Sequence, residues 1–107
     1  MKSTLKNLSE IVAKASDLFY VKFDDIDTVM GIMDKNLRNQ GIEADAITID
    51  CNALDKKIVI LIHDDKPNVV SIALGNKEGD IYSSCEYVLS EISETVIVEM
   101  MQVNFIL

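Results

Sequence analysis

The chain has one histidine, one proline, four glycines and, beyond Lys77, no lysine or arginine. Each shortage narrows what it can be. With so little proline and glycine and no low-complexity tract, neither a linker nor an internal repeat is in view. Its 107 residues therefore read as one domain, 1–107. The two cysteines, Cys51 and Cys85, lack the close spacing of a metal-binding pair. The opening stretch "MKSTLKNLSEIVAK" lacks the continuous apolar core of a secretory signal. No apolar run approaches the ~20 residues of a membrane span. These features set the expectation of a cytoplasmic protein whose cysteines are reduced thiols.

Basic residues are also scarce. Ten of them face 18 acidic residues, for a net charge of −8. A groove that tracks phosphates needs the opposite sign, so direct binding to nucleic acid or an anionic membrane is not expected. The acid is uneven. Residues 78–107 hold Glu78, Asp80, Glu86, Glu91, Glu94 and Glu99 with no compensating base.

What is abundant is apolar side chain, 49% of the residues, enough to build a core unaided. Leu5, Leu8, Val12, Ala15 and Phe19 recur at steps of three and four and predict a helix over 3–20 with Ser3 as its cap. Ile26, Val29, Met30, Met33 and Leu37 repeat that spacing and predict a second helix over 25–40. Asp24 or Asp25 would cap it, Arg38 lies in its last turn, and Gly41 stops it. The period then drops to two. "IEADAITIDC", "IVILIH" and "VVSIALG" read as three strands of an antiparallel meander, turned by "NALDKK" and "DDKPN". A loop of Ala53–Lys56 sets Cys51, Ile49 and Ile47 opposite Ile58, Ile60 and Ile62. That makes one wholly apolar face for the helices to cover. The other face, with Thr48, Val59, Leu61, Val69 and Ser71, is half apolar, more so than a face left to water.

The segment 80–107 carries two patterns. Tyr82, Cys85, Leu89, Ile92, Val96, Met100, Val103 and Leu107 fall at helical steps, with Ser83 and Glu86 at capping-box spacing. Against this, "KEGD" could turn a hairpin into "IYSSCEYV", and "TVIVEMMQV" is rich in strand formers. The expectation taken is one long helix, or two with a break near Ser93. The fold class is then α+β, ordered ααβββα or ααβββαα.

Candidate chemistry is thin. "HDD", His63 to Asp65, pairs the lone histidine with carboxylates, but adjacent strand residues point to opposite faces. Asp50 shares the His63 face about four residues along, roughly 13 Å away. The stronger reading is a strand running into a turn. The same register sets Asp45 opposite Asp64, where a hard cation would relieve the repulsion. Splayed, hydrated strand ends would relieve it equally, so no metal or other cofactor is expected. "GNKEGD" lacks the Lys-Ser/Thr of a phosphate loop and places Asp80 where phosphate would sit. Cys85, on the apolar stripe, reads as a buried, inert thiol. Met30, Met33, Met100 and Met101 read as core filling rather than an adaptable groove.

Three functional expectations follow. The first is a small, acidic, non-enzymatic protein that binds a basic protein through Glu86, Glu91, Glu94 and Glu99. It would act as an immunity protein, inhibitor or nucleic-acid mimic does. The second is a structural homodimer or assembly subunit joined through Thr48, Val59, Leu61, Val69 and Ser71. The third is a small-ligand binder or enzyme using His63 and the nearby aspartates.

Overall fold

A computed structural model describes residues 3–106. Helix α1 (Ser3–Lys22) is followed by strand β1 (Val29–Met33), the single-turn helix α2 (Asn36–Asn39), and strands β2 (Ala44–Cys51), β3 (Lys56–His63), β4 (Val69–Gly75) and β5 (Ile81–Val88). Helix α3 (Glu94–Phe105) comes last. The strands form one antiparallel sheet in the order β1-β2-β3-β4-β5, each paired with its neighbour in sequence.

The α1 stripe behaves as its spacing requires. Leu5, Leu8, Val12, Ala15 and Phe19 are all buried, and they lie against Ile47, Ile49, Ile58, Ile60, Val70 and Ile72 of the sheet. Ser3, expected as the cap, is the first residue of α1 itself. From α3 come Ile97, Met101 and Phe105, whose ring meets that of Phe19 edge-on at 6.1 Å. Each fully buried aliphatic or aromatic side chain contributes about 1.5–3 kcal/mol of transfer free energy. Asn104 Nδ2 donates to the Lys57 carbonyl at 3.2 Å, which satisfies a buried amide and ties α3 to β3.

The second expected helix is not there. Residues 29–33 are an edge strand, with Met30 opposite Ile49 and Ile32 opposite Ile47. Gly31 weakens a helix at its middle by about 1 kcal/mol. As a strand residue it has a use, because a Cβ at that position would lie 2.8 Å from Thr48 Oγ1. Only the end of the expected helix survives, as α2. Gly41 (φ 85°) closes it, with Ile42 N–H donating to the Leu37 carbonyl and Gly41 N–H to that of Arg38.

The β2–β3 register is two residues from the expected one. Cys51 faces Lys56, Ile49 faces Ile58 and Ile47 faces Ile60. The turn is Asn52–Asp55, with Asp55 left-handed at φ 52°. A slip of two preserves the faces, since side chains alternate with period two.

The C-terminal expectation is overturned over half its length. Residues 81–88 are a strand, and Ser83 and Glu86 cap nothing. The meander thus has five strands rather than three. The break near Ser93 is real. Its hydroxyl accepts from Val96 N–H at 3.3 Å as the cap of α3. Leu107 lies outside the described residues. Among the described residues no helix is long and apolar enough to cross a membrane.

Candidate functional site

Both main helices pack on one face of the sheet, against Ile47, Ile49, Ile58 and Ile60. The alternation of side chains then sends Thr48, Val59, Leu61, Val69 and Ser71 to the other face, which neither helix covers. Thr48 is buried and the other four are half-buried. The charges nearest the middle of this face pair with each other: Lys57 Nζ lies 3.8 Å from Asp50 Oδ1.

His63 ends β3 on that open face, opposite Ala44 and exposed. Lys66 N–H donates to its carbonyl at 3.1 Å, closing the turn that "HDD" begins. Asp50 faces Lys57, six residues from His63 along β3, or roughly 20 Å. What the fold does bring to His63 is a shallow hollow of about 270 Å³, lined also by Asp65, Lys66, Val69, Ser71 and Glu86. Glu86 stands directly opposite Ser71 across β4 and β5. This grouping joins three segments and was not legible in the sequence. Among the described residues no hydrogen bond links Ser71, His63 and Glu86, so they do not form the relay that nucleophilic catalysis uses.

Asp45 and Asp64 do approach each other, though not as cross-strand partners. Asp45 faces Ile62, and Asp64 N–H donates to the Glu43 carbonyl at 2.9 Å. Arg38 of α2 spans both carboxylates. Its Nε and Nη2 reach the two oxygens of Asp45 at 3.1 and 3.0 Å. Its Nη1 and Nη2 reach those of Asp64 at 2.6 and 2.8 Å. A guanidinium thus supplies the compensation that like charges demand. Its planar fork matches two carboxylates as a point charge would not. The bonds to Asp64, then those to Asp45, push the guanidinium above its ordinary range and keep it charged. Among the described residues no three His, Cys, Asp or Glu side chains are grouped to hold a metal.

The four glutamates expected on one helical face are dispersed. Glu86 is on β5, Glu91 in a 3-10 turn, Glu94 in the first turn of α3, and Glu99 further along it. Glu86, Glu91 and Glu99 are exposed and Glu94 is half-buried. Cys85 departs from expectation too. It is an exposed free thiol on β5, whereas Cys51 is buried. Tyr87, beside it, packs over Met100 with its hydroxyl 3.9 Å from the sulfur. Burial first, then Cys85 and Glu99, push its phenol above the usual value. Met101 is buried, while Met30, Met33 and Met100 are half-buried. The loop at 75–80 is a turn organised by Asn76, whose Oδ1 accepts from Glu78 and Asp80 N–H at 3.0 Å each.

In comparisons with known proteins, no family model matches the chain, and no curated protein or solved structure matches it significantly.

Proposed function

We propose that this chain is a non-enzymatic cytoplasmic binding protein that captures a basic protein, in the manner of an immunity protein, inhibitor or nucleic-acid mimic. One observation carries the reading. Residues 78–107 hold six carboxylates and no lysine or arginine, and five of the six are exposed, with Glu94 half-buried. Such an excess of carboxylate steers an oppositely charged partner and accelerates its capture. The same excess repels phosphates, so the partner is protein rather than nucleic acid. Its two cysteines are free thiols, which suits a reducing compartment.

The test is capture from the native host on the tagged protein, eluted with a salt gradient and identified by mass spectrometry. A basic protein recovered near one-to-one and released by salt is the expected result. Glu91→Lys with Glu94→Lys, which flank the Ser93 cap, should then weaken it by at least about tenfold. Recovery of the bait alone, or affinity unchanged in that double variant, would overturn the charge-based reading.

A second reading is favoured by the open face. The half-buried Val59, Leu61, Val69 and Ser71, with the buried Thr48 beside them, form a half-apolar surface away from both helices, on which Asp50 pairs with Lys57. Such a face suits a second copy of the chain better than a basic partner. The two readings are compatible, since a dimer can also carry a partner.

A further inference from the structure

We infer that the free edge of β5 is the docking site for an extended, lysine- or arginine-bearing segment of the partner, which adds to the sheet as a sixth strand. The inference rests on the basic-partner reading and adds the mode of contact.

Among the described residues strand β5 pairs only with β4, so its outer side presents unpaired backbone donors and acceptors along eight residues. Residues 81–86 are all exposed, including Ile81 and Tyr82 at 64% and 63%. Proteins usually guard such an edge with lysine, proline or shortness. The opposite edge, β1, is guarded by its length of five residues. Strand β5 contains no lysine and no proline, and its register shift is confined to its start, at Tyr82, so that residues 83–88 pair with β4 in unbroken register. A regular edge of this length without lysine or proline is a template for strand addition.

Charge chooses the occupant. Between positions 78 and 91 stand Glu78, Asp80, Glu86 and Glu91 with no base among them. Among the described residues none of these four has an ion-pair partner. Two copies joined along this edge would bring Glu86 and the flanking acids of both chains toward one seam, where they outnumber the nearby bases, Lys66 beside Glu86 and Lys77 before Glu78, and charges act over ~8 Å at physiological salt. The acid therefore works against self-pairing. An extended segment with alternating basic side chains reverses the sign of every one of those contacts. Glu86 lies on the open face, opposite Ser71, so basic side chains pointing to that face meet it directly.

The probe is a nine-residue peptide of alternating lysine and threonine, acetylated and amidated, titrated into the full chain by fluorescence anisotropy. Two further peptides carry N-methyl groups on alternate amides, one on the lysine set and one on the threonine set. Pairing to the edge uses one set only. One methylated peptide should lose at least about tenfold in affinity while the other binds within about twofold of the parent, because alternate amides point to opposite sides of a strand. Glu78→Lys with Glu86→Lys, both at exposed positions, should weaken the parent peptide by a similar factor, and Glu10→Lys with Asp17→Lys, at exposed positions of α1, should not. If the peptide binds and both methylated forms bind alike, the edge inference is wrong and the basic-partner reading stands. If the α1 pair matters and the edge pair does not, the surface is misassigned. No binding of the parent peptide overturns the edge inference, while the salt-eluted capture decides the reading beneath it.

Discussion

Gly75 closes β4 opposite Ile81, where the β4–β5 register shifts. A Cβ at this position would run into the carbonyl oxygen of Asp80 and lie 3.1 Å from its carbonyl carbon and 3.3 Å from Ile81 Cα. Non-bonded heavy atoms settle at roughly 3.5–4.0 Å, so in Gly75→Ala the Asp80 carbonyl must retreat by roughly 1 Å or more. The obstacle is backbone, and no change of rotamer relieves it. That carbonyl accepts from Asn76 N–H at 3.1 Å, and Asn76 Oδ1 in turn holds Glu78 and Asp80. Overpacking costs about 1–3 kcal/mol and one lost hydrogen bond about 1 kcal/mol, so the expected loss is about 2–4 kcal/mol. At about 4 °C per kcal/mol for a domain of this size, Tm falls by roughly 8–16 °C. Urea unfolding followed by circular dichroism measures the loss as a lower midpoint at unchanged m-value. Gly79→Ala is the comparison. Gly79 sits at φ 98° with open space where a Cβ would go, so its cost is left-handed strain alone, about 1–2 kcal/mol. A smaller loss in Gly75→Ala than in Gly79→Ala would refute the steric reasoning.

Three other outcomes are expected. Arg38→Ala should lower the urea midpoint by stranding the buried Asp45 carboxylate. Asp45→Asn in that background should recover part of the loss, and simple additivity of the two substitutions would show that the clamp carries no coupling. Tyr87 holds its proton longer folded than unfolded, so its contribution to stability is fully present below pH ~10 and is lost as pH rises through the raised folded value. Tyr87→Phe should flatten that alkaline decline in denaturant midpoints, and an unchanged slope would count against it. Leu61→Lys on the open face should give a folded monomer by sedimentation where the wild type self-associates. A wild type that is already monomeric at high concentration removes the dimer reading.

Helix α1 was legible because its apolar residues keep a helical period and all find the core. The sheet faces were legible despite the slipped register, because a slip of two residues cannot exchange faces. Residues 29–37 misled because Val29, Met30, Met33 and Leu37 fit a helical period by coincidence, while Gly31 and the pairing of β1 with β2 were better guides. Strand β5 was hidden for a different reason. As an edge strand, exposed along most of its length, it carries no burial alternation to enforce a period of two, and Tyr82, Cys85 and Leu89 could pose as a stripe. The Arg38 clamp and the His63–Glu86 hollow each join segments far apart in sequence. Arg38 was placed correctly at a helix end, but nothing local told which carboxylates it would reach.

The order of the sheet has a kinetic consequence. Every strand pairs with the one before it, so the meander can assemble by successive local closures, the inexpensive kind. The meeting of α1 with α3 over the sheet, where Phe19 touches Phe105, is by contrast a closure over most of the chain. During synthesis α1 emerges before the sheet and α3 after it. The inner face of the sheet therefore stays half-roofed until residue 105 has left the ribosome, and a stalled chain would offer that isoleucine-lined face to chaperones.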